Sequence, residues 1–334
     1  MTDAYGRAGV DLAAAADAVS MISKLAEGAS RPEVVDGVGG FAGLFRLSDG
    51  RLLAAAADGV GTKVEIARRA GRLDTVGIDA VAMCANDVVT TGAEPLLFLD
   101  VVVVERLIPE EVASIVAGVA EGCRRAGCAL LGGETAEHPG LLPQGGFDLS
   151  GCCVGVVEQD RLLGPSRVRP GDVLVGVRSS GLHSNGFSLV RRAVEGDDLA
   201  DVPEDLGRPL MDELLEPTLI YAPAVVEAAS AGLIHAAAHI TGGGLPGNVP
   251  RALPDGMGAS LDRSSWRRHE VFGFVGRRAD ASEVDLFGTF NMGLGMVLVA
   301  SANRADEVVA LMARHGFEGA VVGRVTSEPG VRLS

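Results

Sequence analysis

The sequence predicts an α/β (α+β) protein of two domains. A chain of 334 residues with 47% hydrophobic content can bury a sizeable core, and this length suits two domains better than one. Apolar strand segments alternate with amphipathic helix segments in both halves, which favours sheets covered by helices. Glycine recurs with Asp, Glu, Thr or His after the predicted strands, where such folds place their sites. We place the domain boundary between residues 168 and 169, giving domains 1–168 and 169–334.

The predicted elements follow this alternation. The segment before Arg31-Pro32 is polar and alanine-rich and predicts a short helix or a mobile arm. The strand at 96–104 is predicted to be buried on both faces, and Pro109 is predicted to open a helix that Gly127 closes. The other predicted strands are 52–57, 149–157, 173–177 and 319–325, and the other predicted helices are 78–89, 223–231 and 305–315.

Charge and cysteine content narrow the possible functions. The formal net charge of −15 repels nucleic acid and anionic membranes, so we expect neither as a partner. A phosphorylated substrate must then be held by metal ions, backbone N–H groups or local cations. Five cysteines without paired C-x-x-C spacing predict buried thiols in a reducing compartment. With no secretory signal and no apolar run long enough for a bilayer, we expect a cytoplasmic protein.

The segment 58–63, Asp-Gly-Val-Gly-Thr-Lys, is the first candidate ligand site. There is no P-loop motif in the chain, and the G-x-G-x-x-A at 37–42 lacks the preceding strand of a dinucleotide fold. Gly59 and Gly61 allow close backbone approach to a ligand, and Asp58 can bind a divalent cation. Lys63 is one of only two lysines, with Lys24, and suits a phosphate. A turn with a solvated lysine is the alternative.

The helical periodicity of 78–89 predicts that polar side chains are grouped on one side of this helix. Asp79 and Asn86 lie on the side opposite the apolar stripe, with Asp87 flanking them, and a solvated helix face is the alternative. In the neighbouring strand, Asp100 needs a metal or polar partner because an unpaired buried carboxylate is costly.

The segment 132–137 follows the apolar residues Ala129-Leu-Leu, which we interpret as a strand, and is predicted to be a glycine loop with two acids. Glu134 and Glu137 suit Mg²⁺, which keeps water and bridges phosphates, while a turn with a helix cap is the alternative. His183 and His239 lie in glycine- and serine-rich loops whose amides can bind an anion, although a lone histidine is often structural.

Taken in order, these segments resemble the phosphoribosylformylglycinamidine cyclo-ligase (AIR synthetase) family over nearly the whole chain. The segments that carry the resemblance are 5–11, 37–41, 58–63, 77–87, 92–95, 132–137, 181–186, 239–244 and 289–291. Two departures touch the proposed site: His138 follows Glu137 where an apolar residue is common, and valines occupy 101–104.

The resemblance implies ATP-dependent closure of formylglycinamidine ribonucleotide to 5-aminoimidazole ribonucleotide, with release of ADP and phosphate. It implies ATP and Mg²⁺ as cofactors and a homodimer formed by the N-terminal sheet. The site would lie between that half and a C-terminal α/β half, and the dimer would complete it. Thiamine-monophosphate kinase of the same superfamily and a catalytically silent nucleotide-binding subunit are the alternatives.

The resemblance also implies roles for individual residues. Asp58, Asp87 and Glu134 would bind the metal. Asp100, His183 and His239 would be catalytic. The implied nucleotide-binding residues are Gly59, Gly61, Thr62, Lys63, Asn86, Gly132, Gly133, Thr135 and Glu137. The implied substrate-binding residues are Ser184, Asn185, Thr241, Gly242, Gly243 and Asn291.

Overall fold

The computed structural model describes residues 6, 8, 9 and 12–334, so most of the motif at 5–11 lies outside the described residues. Two six-stranded sheets with helices packed against them confirm the predicted mixed α/β fold. The strands are β1 Val34–Asp36, β2 Gly43–Arg46, β3 Leu52–Gly59, β4 Glu94–Val104, β5 Ala129–Glu137, β6 Phe147–Val157, β7 Val173–Arg178, β8 Ala236–His239, β9 Gly258–Leu261, β10 Leu294–Ala300, β11 Gly319–Thr326 and β12 Gly330–Leu333. The helices are α1 Leu12–Glu27, α2 Lys63–Ala70, α3 Asp74–Val89, α4 Pro109–Ala126, α5 Phe187–Ala193, α6 Leu210–Leu214, α7 Ala222–Ser230, α8 Gly244–Asn248, α9 Glu270–Arg278, α10 Glu283–Thr289 and α11 Ala305–Arg314.

The N-terminal sheet has the strand order β1-β2-β3-β6-β4-β5, and only β4 and β5 pair in parallel. Helices α3 and α4 cover one of its faces. They cross closely because Gly77 and Gly118 lack side chains, and a Cβ on either glycine would collide with the other helix's backbone. The side chains of Leu52, Ala54 and Ala56 alternate into this packed face.

The other face of this sheet is open, which corrects the expectation that β4 is buried on both faces. Phe98 and Val102 are fully buried under the helices, whereas Leu99 and Val101 between them are each 39% exposed. Helices cover only one side of this largely antiparallel sheet, so successive residues of β4 alternate between packed and open faces. The prediction that 132–137 is a loop is also wrong, because these residues continue strand β5.

The C-terminal sheet has the order β12-β9-β11-β7-β10-β8. All seven residues of β10 are buried, because β7 and β8 pair on its two sides and helices and loops cover its faces. Helix α11 packs on β7 and β11. The boundary placed at 168/169 falls in the connection between β6 and β7, where the chain leaves one sheet and enters the other.

Candidate active site between the two halves

Helix α3 forms the contact between the two halves of the chain. All of its residues except Asp74 and Asp87 are buried, although its sequence includes polar side chains. The carboxylate of Asp79 accepts hydrogen bonds from the backbone N–H and the hydroxyl of Thr218, at 2.8 and 2.6 Å. The polar side of α3 is therefore an interdomain surface, which corrects the alternative of a solvated helix face.

Lys63 is fully buried and forms an ion pair with Asp79, with 2.7 Å between Nζ and Oδ2. Its ammonium also donates to the backbone carbonyls of His183 and Glu216, at 3.1 and 2.9 Å. An ammonium has three N–H donors, and these three contacts occupy them. This arrangement corrects the expectation that Lys63 faces a triphosphate. Burial lowers the pKa of Lys63 and raises the pKa of Asp79, and the attraction between them opposes both shifts.

Asn86 is also directed into the interdomain contact and away from the solvent. Its amide oxygen accepts from the backbone N–H of Tyr221 at 2.9 Å, and its amide nitrogen donates to the carbonyl of Leu219 at 2.9 Å. These bonds satisfy the backbone of the segment before α7. The structure therefore gives Asn86 a structural role, in contrast to the expected contact with nucleotide.

Asp58 and Asp87 form an acid pair where the two halves of the chain meet, a region we call the cleft. Asp58 lies near the end of β3 and Asp87 near the end of α3. Desolvation by the surrounding protein raises the pKa of Asp58, and the negative charge of Asp87 adds to this rise. Asp58 is nonetheless solvent-exposed, so a ligand can reach its carboxylate. Two close carboxylates of this kind are stabilised by a cation.

His239 lies behind Asp87 and is completely buried. Its Nδ1 lies 2.9 Å from Oδ1 of Asp87, and its Nε2 lies 3.4 Å from the amide nitrogen of Asn86. With Nε2 accepting from Asn86, the imidazole donates from Nδ1 to the carboxylate, as histidine–carboxylate pairs at metal sites do. His239 therefore orients Asp87, and its burial corrects the expectation that it meets substrate.

The loop that follows β7 contributes Asn185 to the cleft. The amide oxygen of Asn185 accepts from the backbone N–H of Gly242 at 3.1 Å, and its nitrogen lies 3.8 Å from the sulfur of Met83 on α3. The neighbouring Ser184 is buried and donates to the carbonyl of Val60, at 2.8 Å. Asn185 thus lies at the cleft, whereas Ser184 joins the two halves.

Thr241, Gly242 and Gly243 form the loop between β8 and α8. The buried side chain of Asn248 donates to the carbonyls of Thr241 and Gly242, at 3.3 and 3.1 Å, and so fixes the loop. Gly243 has a φ of 88°, a left-handed conformation that favours glycine. The carbonyls of Thr241 and Gly242 are held by Asn248, and the N–H of Gly242 by Asn185. Among the described residues, the N–H of Gly243 has no hydrogen-bond acceptor, so it can face a ligand.

His183 and Asn291 are both buried on the C-terminal side of the contact between the two halves. His183 is 1% exposed, and its Nε2 accepts from the backbone N–H of Ser180 at 3.2 Å. Burial lowers the pKa of His183 well below its ordinary value. Asn291 donates to the carbonyls of Gly181 and Leu182 and accepts from Ser179. Both residues fix the 179–186 loop from inside, which corrects the expected catalytic and substrate contacts.

The turn after β3 brings backbone groups to the same cleft. The backbone N–H of Gly59 donates to Oδ1 of Asp58 at 2.7 Å, and Gly61 has a left-handed φ of 68°. Thr62 occupies the N-cap position of α2 without using its side chain as a cap. The side chain of Thr62 is therefore not committed to capping the helix.

Asp100 lies in the same row of the sheet as Asp58 but two strands away. Asp58 and Asp100 both pair with Gly151, so about 10 Å separates their backbones at the usual strand spacing. The carboxylate of Asp100 packs over Gly133, where a Cβ would collide with it. Desolvation raises the pKa of Asp100. The structure therefore does not bring Asp100 to the acid pair within one protomer.

Glu134 is further from the acid pair and belongs to the opposite face. It pairs with the exposed Val101, three strands from β3, so it points to the open face of the sheet. Glu137 accepts from the backbone N–H of Leu107 at 2.7 Å. Gly132 and Thr135 lie on the same strand. The expected metal set of Asp58, Asp87 and Glu134 is therefore not assembled within one chain, because the sheet separates its members.

One cation at the cleft was not predicted from the sequence. Arg251 donates from Nη2 to the carbonyl of Gly40 at 2.8 Å, and its guanidinium lies 3.7 Å from the ring centroid of Phe41. The chain contains many arginines, and nothing local in the sequence distinguishes this one. Its position depends on how the two halves pack.

The donors at the cleft suit a magnesium ion held by two carboxylates. In the part of the chain that the structure describes, no group of three or more His, Cys, Asp or Glu side chains is arranged to hold a metal. Mg²⁺ keeps several waters and takes one or two carboxylates plus phosphate oxygens. Asp58 and Asp87, whose mutual repulsion a cation would relieve, fit that requirement, and Glu134 of the same chain does not.

Comparisons with known proteins identify the family of the chain. The family model "AIR synthase related protein, N-terminal domain" matches residues 39–157, and "AIR synthase related protein, C-terminal domain" matches 169–334. Phosphoribosylformylglycinamidine cyclo-ligase of Synechococcus sp. (strain CC9605) is 48% identical, over 97% of this chain and 95% of the relative. The enzyme of Geobacillus kaustophilus (strain HTA426) is 45% identical, over 100% and 99%.

The chain belongs to the phosphoribosylformylglycinamidine cyclo-ligase family. Membership in this family confirms the resemblance, and it makes the chain a ligase of purine biosynthesis.

Solved structures confirm the fold of this family member. Thiamine-monophosphate kinase from Stenotrophomonas maltophilia K279a superposes with a TM-score of 0.64 at 19% identity, over 95% of this chain and 96% of the kinase. Thermotoga maritima PurL, solved in complex with ATP, gives a TM-score of 0.61 at 20% identity, over 90% of this chain and 45% of PurL. Because the full-length cyclo-ligases are far more similar in sequence, the kinase alternative is not favoured.

Proposed function

We propose that this chain closes the imidazole ring of 5-aminoimidazole ribonucleotide from formylglycinamidine ribonucleotide, using ATP and releasing ADP and phosphate. The observation that carries the proposal is the acid pair of Asp58 and Asp87 at the cleft between the halves of a cyclo-ligase family member. Phosphoryl transfer asks a protein mainly for positioning and charge neutralisation. A cleft with paired carboxylates and loop amides provides both.

Asp58 and Asp87 would hold Mg²⁺, which supplies neutralisation of the phosphate charge when bound. His239 would keep Asp87 in the orientation that metal binding needs, because its Nδ1–H is directed at Oδ1. The turn containing Gly59, Gly61 and Thr62 would approach the nucleotide through its backbone.

Asn185 and the loop of Thr241, Gly242 and Gly243 would face the ribonucleotide substrate. Backbone N–H groups can bind a phosphate without adding net charge. This property matters in a chain whose formal net charge is −15.

We also propose a homodimer formed through the open face of the N-terminal sheet. Leu99 and Val101 are partly exposed on this face, and Leu131 on β5 is 64% exposed. Contiguous exposed apolar surface of this kind marks interaction sites. Glu134 points to the same face, so a partner chain would bring this acid towards a site that one protomer leaves incomplete. Sedimentation of the purified protein at micromolar concentration tests this, and a single monomeric species would contradict it.

The reaction would take place in the cytoplasm, as the cysteines suggest. All five are free thiols, and three of them are buried, which is consistent with a reducing compartment. No helix in the described part of the chain is long and apolar enough to cross a membrane.

The proposed activity is tested by incubating the purified protein with formylglycinamidine ribonucleotide, ATP and Mg²⁺, and measuring aminoimidazole ribonucleotide and ADP. The Asp58→Asn variant should lose turnover while keeping its circular dichroism spectrum. Asp74→Asn is the matched control, because Asp74 lies at the exposed start of α3. Wild-type rates in Asp58→Asn would remove Asp58 from the metal site, and ATP hydrolysis that depends on thiamine monophosphate would overturn the reaction itself.

A further inference from the structure

Arg251 connects the glycine segment 37–43 of the N-terminal half to the C-terminal half. It lies in the 3₁₀ turn Val249–Ala252 that follows α8. Its Nη2 donates to the carbonyl of Gly40, and its guanidinium stacks on the ring of Phe41. A stacked guanidinium has lost much of its rotational freedom before any ligand arrives, so it pays less entropy on binding.

The same guanidinium is tied to the proposed substrate loop. Its Nη1 donates to Oδ1 of Asn248 at 3.1 Å, and Asn248 in turn donates to the carbonyls of Thr241, Gly242 and Gly244. Arg251 therefore lies between two glycine-rich loops that come from different halves of the chain.

The charges around Arg251 favour the binding of an anion at this position. The cleft contains the carboxylates of Asp58 and Asp87, and the ammonium of Lys63 is occupied by Asp79 and two carbonyls. Asp87 is close enough to act electrostatically on Arg251 and raise its pKa, while burial, the larger effect, lowers it. A partly desolvated cation at the edge of an acidic cleft is positioned to receive an anion.

The guanidinium also has donors to spare. Of its five N–H donors, one on Nη1 and one on Nη2 contact Asn248 and Gly40. Nothing among the residues that the structure describes accepts from the others. The planar arrangement of these donors matches two oxygens of a phosphate, which is why arginine so often binds phosphate in a bidentate way.

We propose that Arg251 is a phosphate-binding residue of the cleft, held ready by Phe41 and Asn248. The inference rests on the proposed function, since that reaction brings two phosphate esters to the cleft. The triphosphate of ATP and the 5′-phosphate of the ribonucleotide share the chemistry that Arg251 recognises. Binding measurements separate the two sources.

The experiment measures binding by titration calorimetry without turnover, with MgADP as one probe and ribose 5-phosphate as the other. Arg251→Ala should lower the affinity for one of the two probes by roughly 10- to 100-fold, the loss expected for a charged hydrogen-bonding partner. The affinity for the other probe should stay within about twofold of wild type. Arg251→Lys should recover part of the loss, because it keeps the charge without the fork. Phe41→Leu should weaken the same probe less, because the guanidinium remains but is no longer stacked.

Arg314→Ala is the matched control, since Arg314 is exposed on α11 and pairs there with Glu227. Unchanged affinity of Arg251→Ala for both probes would overturn the proposal. An equal loss for both probes that Arg251→Lys does not relieve would also overturn it, by showing that Arg251 only supports the loops. Because no catalysis is measured, a failed cyclisation assay would leave these binding results intact.

Discussion

The buried ion pair between Lys63 and Asp79 gives a prediction about stability. Lys63→Met replaces the ammonium with an apolar side chain of similar length, and it leaves the carboxyl of Asp79 buried beside Thr218 without a cation. Removing one partner of a buried pair costs about 3–5 kcal/mol, because the remaining charge is neither solvated nor paired. At about 2–4 °C per kcal/mol for a domain of this size, the midpoint of thermal unfolding should fall by roughly 6–20 °C.

The assay is thermal unfolding without nucleotide, followed by the fluorescence of Trp266, the only tryptophan, and by circular dichroism. Lys24→Met is the matched control, because Lys24, the other lysine of the chain, is exposed on α1. The unfolding midpoint of this variant should lie within a degree or two of the wild-type midpoint. Adding Asp79→Asn to Lys63→Met should recover much of the loss, since the amide oxygen can still accept from Thr218 and no charge is left buried.

Two results would contradict a structural role for Lys63. A wild-type midpoint for Lys63→Met would show that the ion pair contributes nothing to the contact between the halves. Normal stability of Lys63→Met together with a large loss of ATP affinity would show that Lys63 contacts the triphosphate after all.

Two further predictions concern packing and pH. Gly133→Ala should lower the free energy of unfolding, measured in urea, by about 1–3 kcal/mol, because the added Cβ collides with Asp100. Gly132→Ala is the control and should change this free energy little, because the nearest neighbour of its Cβ would be at 4.0 Å. Equal effects of the two substitutions would contradict this prediction. The folded-state pKa of His183 lies well below 6.5 because the imidazole is buried. The unfolded chain therefore binds an extra proton as the pH falls through about 6.5, and the stability lost from this residue should approach about 1.4 kcal/mol per pH unit below about pH 5.5. Asparagine tolerates the left-handed φ of 61° at position 183. In His183→Asn the free energy of unfolding, measured in urea, should therefore depend less steeply on pH between pH 5 and 6.5, by the contribution of up to one proton. An unchanged slope would show that His183 does not titrate this way.

The sequence was sufficient for elements whose pattern is local. Helix α4 begins at Pro109 and ends before Gly127, which has the left-handed φ of 76° expected at a helix C-terminus. The strand predicted at 149–157 extends from Phe147 to Val157. Periodicity and capping chemistry act over a few residues, so they can be recognised without knowing what packs against the element.

The candidate site was only partly predictable. Its glycine and acid segments, above all Asp58 and Asp87, could be identified from residue type and order. The burial of His183 and His239 could not, because a histidine in a glycine-rich loop has the same local sequence whether it faces a ligand or the core. Arg251 was missed because its partners, Gly40 and Phe41, lie about two hundred residues away in the chain.

The fold class, the family and the set of residues from which the site is built follow from the amino-acid sequence alone. Which of those residues come into contact depends on how the two halves pack. Helical periodicity places Asp79 and Asn86 on one face of α3, but it does not say whether water or the C-terminal half covers that face. The same holds for Lys63, whose single charge suits a phosphate or a buried carboxylate equally well. The choice depends on desolvation and pairing, which are properties of the packed chain.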